Sequence, residues 1–181
     1  TPPAEYLDIM IPSGTPTGFI TAGSGSGDLG TENIYLNFLG GDFYYSYINS
    51  ILASNEIKLA ASATDADIYI DANPNSAANK LEFFANNNLR VQDNITMSTS
   101  GALLGLHAGN DVILSDLSPY TISIGSGSGT LVAEADWNNT NVGAIYTNTS
   151  MRTTFNVANL VLMAKTGIHV QTTGPTAGMN I

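Results

Sequence analysis

Cysteine is absent from this chain of 181 residues. Its absence excludes disulfide bonds, thiolate metal sites and cysteine nucleophiles. Apolar runs are short, and none approaches the roughly 20 residues that a membrane-spanning helix needs, so no membrane insertion is predicted. The opening stretch TPPAEYLDIMIPSG has neither the basic region nor the apolar core of a signal peptide, so we predict no export signal in these residues.

Charged residues are also scarce, at 11% of the chain, and they are strongly one-sided. Fifteen Asp and Glu stand against five Lys and Arg, which gives a formal net charge of −10. Phosphate binding needs clustered cations. The cations here are scattered singly along the chain, at Lys58, Lys80, Arg90, Arg152 and Lys165. Nucleic acids and anionic membranes are therefore not expected as partners.

Short alternating apolar segments fill most of the chain. Examples are EIKLAA, DIYIDA, KLEFFA, DVILSD and TISIGS, separated by Asn, Asp, Gly and Ser. Apolar residues at every second position predict strands with one buried face. Many short strands with turn residues between them predict an all-β fold, and a sandwich, a β-prism and a β-solenoid all fit.

One stretch, DFYYSYINSILASNEIKL, is ambiguous. Apolar residues at helical spacing favour a single short helix near 43–53, whereas the density of aromatic residues favours a strand. The repetitive alternation begins after this stretch. We therefore divide the chain into a turn-rich N-terminal attachment segment with an aromatic cluster, 1–54, and a repetitive β domain, 55–181.

Several predicted strands are apolar on both faces. LEFF, ALLGL and NLVLM each need cover on two sides, from a second sheet or from a neighbouring subunit. This pattern favours an assembly of several copies, and a two-layer monomer that covers its own strands is the alternative.

The run NNLRVQDNITMSTSGALLGLHAGNDVILSD resembles the repetitive β-structured segments of bacteriophage fibres, spikes and other virion surface proteins. The resemblance is one of style and covers about residues 55–131. It implies a trimer whose strands wrap about one axis, contacts with other virion proteins, and a position on the virion surface. A long fibrous shaft, usual in those proteins, is missing, which implies a short spike, a fibre tip or a capsid-decoration (cement) protein.

The stretch GSGSG occurs twice, at 23–27 and at 125–129, and it raises the question of a phosphate cradle. Gly25, Gly27 and Gly30 fit G-x-G-x-x-G, but a dinucleotide site needs a helix directly afterwards. Here TENIYLNF follows and alternates as a strand does. We predict turns or hairpins between strands, with no nucleotide cofactor.

Calcium is the one cofactor with a candidate loop. Asp71, Asn73 and Asn75 occupy positions 1, 3 and 5 of a calcium loop, with Glu82 at position 12. Ser76 stands where such a loop requires Gly, so an ordinary turn capped by Asn and Asp side chains is the alternative.

Aromatic and histidine residues give the remaining candidate sites. Tyr and Trp stack on sugars and also fill subunit interfaces, so a glycan site or an interface is predicted at four residues: Tyr44, Tyr45, Tyr47 and Trp137. In a trimer, His107 or His169 would form a ring of three around the axis, able to bind a metal or an anion.

No reaction is indicated by these patterns, since no nucleophile motif is present and the carboxylates cannot be paired from sequence. We expect a non-enzymatic structural protein on the exterior of a virion, a short phage fibre or spike or a capsid-decoration protein, that acts by multivalent attachment. The alternatives are a bacterial or archaeal surface adhesin module that binds glycans and a small glycan hydrolase.

Overall fold

The computed structural model of the chain describes residues 7–10, 20–23, 33–148, 151–172 and 179–180. Its strands pair in parallel throughout these ranges, and the chain winds into a β-solenoid of about six turns. The prediction of an all-β protein is confirmed, and the β-solenoid is the observed one of the three expected forms. Trimerisation stays a prediction.

Nineteen strands are present in the described residues. In chain order they are β1 (Leu7–Ile9), β2 (Ile20–Gly23), β3 (Asn33–Phe38), β4 (Phe43–Tyr44), β5 (Ile48–Leu52), β6 (Glu56–Ala61), β7 (Ile68–Ile70), β8 (Lys80–Ala85), β9 (Leu89–Val91), β10 (Ile95–Met97), β11 (Leu103–Ala108), β12 (Val112–Ser115), β13 (Tyr120–Ile124), β14 (Thr130–Ala135), β15 (Ala144–Thr147), β16 (Thr153–Asn156), β17 (Asn159–Met163), β18 (Gly167–His169) and β19 (Met179–Asn180). Two short 3-10 helices occur, Tyr45–Tyr47 and Gly125–Gly127.

The strands form four parallel sheets. Sheet 1 has eight strands in the order β1-β3-β6-β8-β11-β14-β17-β19, and sheet 2 has six in the order β4-β7-β9-β12-β15-β18. Sheet 3 contains β10, β13 and β16, and sheet 4 contains β2 and β5. The chain passes from sheet 1 to sheet 2 and then to a third side before it returns to sheet 1, so each turn stacks on the one before.

Turn length grows towards the C-terminus. The strands of sheet 1 from β3 to β17 begin at residues 33, 56, 80, 103, 130 and 159, so successive turns contain 23, 24, 23, 27 and 29 residues. The additional residues lie in the connections, most of all in the segment 136–143 between β14 and β15. The stacked strands themselves keep an unbroken register in sheet 1.

In the core, buried side chains of successive turns lie one above another in columns. In sheet 1, register places Leu59, Phe83, Leu106 and Ala133 one above another, all fully buried. Adjacent parallel strands lie about 4.8 Å apart, so side chains of one column are in direct contact. Alternation in the sequence therefore becomes a continuous apolar interior along the solenoid axis.

Asn and Asp at the corners join successive turns by hydrogen bonds. The Asp67 backbone N–H donates to Asp42 Oδ1 at 2.9 Å, and the Asn88 N–H donates to Asp67 Oδ1 at 2.9 Å. The Ala144 N–H donates in the same way to Asp111 Oδ1 at 2.8 Å. Because the corners leave backbone donors without strand partners, a short side-chain acceptor in the preceding turn satisfies them. This explains why Asn and Asp recur between the strands.

The ambiguous segment 43–53 forms β4, the 3-10 helix Tyr45–Tyr47 and β5, so two strands of different sheets joined by one tight turn are observed in place of the expected α-helix. No α-helix forms anywhere in the ranges described above. The predicted boundary between residues 54 and 55 falls between β5 and β6. The division into 1–54 and 55–181 stays a prediction, although β3 pairs in full register with β6 across that boundary.

The second GSGSG stretch is a corner, as predicted for a turn, but it is not a hairpin because the strands it joins belong to different sheets. Gly125, Ser126 and Gly127 all have positive φ, the conformation that glycine adopts without strain. A Cβ on Gly129 would lie 2.1 Å from Ile124 Cγ2, so this position also has no room for a side chain. Of the first copy, only Gly23 lies within the described residues.

Candidate functional site

A column of six side chains runs along the outer face of sheet 2, of which five are exposed or half-buried and one, Ile113, is buried. It is called the tyrosine column here, and register places one residue of each turn in it: Tyr44, Tyr69, Arg90, Ile113, Tyr146 and His169. Ile68 and Ile70 on either side of Tyr69 are fully buried. Since side chains alternate along a strand, the residue between them points outwards.

The first turns of the tyrosine column are tightly stacked. The rings of Tyr44 and Tyr69 are nearly parallel, at an interplanar angle of 6°, with centroids 4.5 Å apart. The Arg90 guanidinium carbon lies 5.8 Å from the Tyr69 centroid, and the Tyr47 ring is tilted against Tyr44 at 5.5 Å. Because the ring faces contact one another, this end of the column presents ring edges and hydroxyl groups.

Asp67 is the hydrogen-bonding centre beside this column. Its Oδ1 accepts from Asn87 Nδ2 at 2.8 Å and from the Asn88 N–H at 2.9 Å, and its Oδ2 accepts from Arg90 Nε at 3.1 Å. The Asp67 side chain is 9% exposed. A buried carboxylate with this many donors ties the corner of one turn to the next and holds Arg90 against Tyr69.

Burial and nearby carboxylates shift the tyrosines towards the neutral form. The pKa of Tyr69 is raised to about 12, first by burial and then by Asp67 and Asp42, against the opposing effect of Arg90. Burial and Asp42 likewise raise the pKa of Tyr44, and burial and Asp111 raise that of Tyr146. These directions indicate a negative potential along the column.

The outer face of sheet 1 carries an ion network of four residues, Glu56, Lys58, Lys80 and Glu82. Lys80 Nζ lies 3.0 Å from Glu56 Oε1 and 2.9 Å from Glu82 Oε2, and Lys58 Nζ lies 3.3 Å from Glu56 Oε1. The order Glu-x-Lys on β6 meets Lys-x-Glu on β8, so parallel register places each charge beside its opposite. This arrangement stabilises one register over its neighbours.

His107 extends the ion network by two turns. Its Nδ1 lies 2.9 Å from Glu134 Oε2, and its ring is stacked on Phe84 with centroids 4.6 Å apart. Its Nε2 is buried without a hydrogen-bond partner, because Glu82 Oε1 at 3.6 Å is beyond hydrogen-bonding distance. A Cβ on Gly105 would lie 2.7 Å from this nitrogen, so glycine is what allows the histidine and Glu82 to approach.

The acids of the ion network are favoured in the ionised form. Burial alone would raise the pKa of Glu82, but the neighbouring His107 and Lys80 outweigh burial, and its pKa is lowered. The pKa of Glu56 is also lowered, because hydrogen bonds from Tyr35, Lys80 and Lys58 outweigh its burial. Both carboxylates therefore act as acceptors in a cross-strand network.

The four aromatic residues predicted as a glycan site or an interface all pack within the chain. Tyr45 is buried and meets Phe83 edge-on at 6.0 Å, and burial raises its pKa to about 12. Tyr44 and Tyr47 contact each other as described above. Trp137 Nε1 donates to the Ala85 carbonyl at 3.0 Å. The Trp137 ring meets Phe84 of sheet 1 edge-on at 5.9 Å, whereas Tyr44 lies on sheet 2, so the four residues do not form one site.

The four predicted calcium ligands are engaged separately. Asp71 accepts from the Ser46 backbone N–H and hydroxyl at 2.8 and 2.7 Å, and Asn73 Oδ1 accepts from the Thr96 N–H at 3.0 Å. Asn75 is exposed, and Glu82 belongs to the ion network on sheet 1. Asp71 and Asn73 thus join neighbouring turns, since their donors Ser46 and Thr96 lie 25 and 23 residues away in the sequence. Calcium binding stays a prediction.

The two histidines lie on different sheets. His107 on β11 is half-buried against Phe84, whereas His169 on β18 is exposed at the end of the tyrosine column. A ring of three histidines stays a prediction.

Three residues of the tyrosine column were missed by the sequence predictions: Tyr69, Arg90 and Tyr146. Their signal is a short recurring unit in which one large or charged residue stands between two residues that become buried, as in IYI, LRV and IYT. Aligning these units requires knowledge of which strands are neighbours. Their offsets vary with the length of the corners, so the column is not visible as a fixed period.

Within the described ranges, no group of three or more His, Asp or Glu side chains is arranged to hold a metal ion. In that same part of the chain, no helix has the length and apolar character to cross a membrane.

Comparisons with known proteins leave the family open. No protein-family model matches the chain. No curated protein matches it in sequence, and no solved structure matches it in fold. Function must therefore be argued from the solenoid and its outer faces alone.

Proposed function

We propose that this chain is a non-enzymatic structural protein of a virion exterior, a short phage fibre or spike or a capsid-decoration protein, and that it acts by attachment. The observation that carries the proposal is the parallel β-solenoid with the tyrosine column along one outer face. A stack of turns held by columns and corner hydrogen bonds is a stiff support, and a regular outer column presents the same kind of contact repeatedly.

Multivalency supplies the affinity in this proposal. Weak contacts made together by several linked surfaces bind far more tightly than one contact alone. A homotrimer would present three tyrosine columns in a fixed arrangement, and short neutral polar side chains over the remaining surface suit a protein exposed outside the cell.

A structural role fits the way the charged groups are used. Asp67, Glu56 and Glu82 each make several hydrogen bonds or ion pairs that join neighbouring turns. Carboxylates used in this way stabilise the stack. A catalytic acid or base needs access to a substrate and a freely exchangeable proton.

Two measurements test the proposal. Light scattering on the purified chain is expected to give three times the 18.9 kDa of one copy, and gold-labelled antibodies against the chain are expected to decorate the outside of intact particles. A stable monomer would contradict the trimer, and labelling of only disrupted particles would contradict the exterior position. Labelling of host cell envelopes instead of particles would favour the adhesin.

A further inference from the structure

Carboxylates line both long edges of the outer face of sheet 2. Along its first four strands, β4 to β12, seven of the chain's fifteen acidic residues lie within three residues of a strand end: Asp42, Asp65, Asp67, Asp71, Asp93, Asp111 and Asp116. Arg90 is the one cation within those strands, and it is already paired with Asp67 at 3.1 Å and with Asp116 at 3.7 Å. This part of the face therefore has a large excess of negative charge.

The carboxylates at both edges raise the pKa values of the tyrosines that lie near them. Beyond burial, the pKa of Tyr44 is raised by Asp42 and Asp71, and that of Tyr47 by the same two carboxylates. Residues on opposite edges thus act on the same ring. The negative potential covers the full width of the column and opposes binding of phosphate or of acidic glycans.

A second copy of this chain is a poor occupant of the face. Of the five Lys and Arg in the chain, Lys58, Lys80 and Arg90 are already in ion pairs with carboxylates. Arg152 and Lys165 remain, and both lie beside the last strands, β16 and β18. Two cations do not match the five carboxylates of the face that are not paired with Arg90, so contact between two such faces would place like charges together at most positions.

The width of the face suits one extended segment. Asp67 and Asp71 stand on opposite edges of β7 and are four residues apart, which is about 13 Å along a strand. The long stems of Lys and Arg cover apolar and aromatic surface while their charged ends reach outwards. A basic segment lying along the column would thus place its stems on the tyrosine edges and its cations at both rows of carboxylates.

We propose that the outer face of sheet 2, from Tyr44 to Asp116, docks an extended Lys- and Arg-rich segment of a partner protein. This inference rests on the proposed function, in which such a segment of another virion protein holds the solenoid on the particle. The inference identifies the partner by the positive charge of its docking segment. Because this face begins at Tyr44 and continues to Asp116, the attachment role is not confined to the segment 1–54.

The test uses a ten-residue lysine peptide and two pairs of charge-removing substitutions in the whole chain. Asp42→Asn with Asp111→Asn removes two charges from the face and keeps both side-chain oxygens that accept backbone hydrogen bonds. The control pair, Asp8→Asn with Glu134→Gln, removes two charges elsewhere and likewise keeps an acceptor for Asn37 and for His107. Melting temperatures verify that both variants are folded.

Binding is measured by calorimetry in about 0.15 M salt, where charges more than about 8 Å apart are largely screened. We expect one peptide per chain. The face pair is expected to weaken binding roughly 3- to 30-fold, from two ion pairs of up to about 1 kcal/mol each, and the control pair less than about twofold.

Equal losses in the two pairs would show attraction to net charge alone and would overturn the docking face. Absence of binding, or binding of a neutral oligosaccharide that the lysine peptide does not displace, would overturn it as well. None of these results affects the trimer or the particle labelling, so failure of this inference is distinguishable from failure of the proposed function.

Discussion

On the outer faces of sheet 1 and sheet 2, side chains of successive turns contact one another by different interactions. Both are columns in parallel register, in which each side chain meets its counterpart from the next turn. Sheet 1 places opposite charges side by side, as with Glu56 and Lys80, whereas sheet 2 stacks like rings, as with Tyr44 and Tyr69. Sheet 1 neutralises its charges internally, and sheet 2 leaves carboxylates in excess along its edges. The difference indicates that sheet 1 stabilises the stack, and it is the reason why we propose sheet 2 as the face that docks a partner.

The largest expected effect comes from the edge of sheet 2. Asp67→Ala removes a buried carboxylate that accepts several hydrogen bonds from the following turn and leaves Arg90 without its closest partner. We expect a loss of about 3 kcal/mol in the free energy of unfolding, measured by urea titration. Asp42→Ala, at an exposed position with one accepted backbone hydrogen bond, is expected to lose about 1 kcal/mol. Equal losses would contradict the central role of Asp67.

On sheet 1, reversing a charge is expected to have a smaller effect that a second reversal cancels. Lys80→Glu places a third carboxylate beside Glu56 and Glu82 and is expected to lower the free energy of unfolding by about 2 kcal/mol. Adding Glu56→Lys restores an opposite pair across β6 and β8 and is expected to recover about half of the loss. If the double variant is no more stable than the single one, the two residues are not neighbours.

Stacking on sheet 2 is expected to contribute less than the charges. Tyr44→Leu keeps a large apolar side chain and removes the parallel contact with Tyr69, so we expect a loss of about 1 kcal/mol. The matched control is Tyr146→Leu, because Ile113 and His169 are its neighbours in the column. Near-ultraviolet circular dichroism is expected to change more for Tyr44→Leu, and an equal change in both would contradict the stacked pair.

The two faces are expected to lose their contributions to the free energy of unfolding at opposite ends of the pH scale. These effects are expected to be smaller than those of the substitutions above. On sheet 1 the pKa values of Glu56 and Glu82 are lowered from the ordinary 4.5, so their contribution is complete above pH 4.5 and is lost as pH falls below it. On sheet 2 the pKa of Tyr69 is raised from 10.0 to about 12, so its contribution is complete below pH 10 and is lost as pH rises towards 12.

Unfolding experiments across pH separate these contributions. Glu82→Gln is expected to flatten the acid side of the stability profile only, and Tyr69→Phe the alkaline side only. A change on the same side in both variants would contradict the assignment of the shifts to separate faces.

The sequence predicted the strands more completely than the arrangement of the strands. Alternation in EIKLAA and KLEFFA is enough to predict β6 and β8, but it does not distinguish parallel from antiparallel neighbours, so three all-β forms remained open. The complementary order of Glu56, Lys58, Lys80 and Glu82 was the signal for parallel register. It has meaning only when the two segments are laid side by side.

The candidate face was predicted in part. The cluster DFYYSY was enough to predict a binding or interface role for Tyr44 and Tyr47, because these aromatic residues are close together in the sequence. Tyr69, Arg90 and Tyr146 join them only through pairing across 21 to 33 residues. Corners of unequal length hide that pairing, so these residues look unrelated in the sequence.

Cross-linking tests the in-register parallel stack most directly, since the chain has no cysteine of its own. Thr121 and Thr154 are register partners on β13 and β16, 33 residues apart across the longest offset between turns. Parallel neighbours about 4.8 Å apart fall within the range that a disulfide spans. Thr121→Cys with Thr154→Cys is expected to form a disulfide within one chain on mild oxidation, and Thr121→Cys with Asn156→Cys, two residues out of register, is not. A disulfide in the second variant but not in the first would contradict the register on which both outer faces depend.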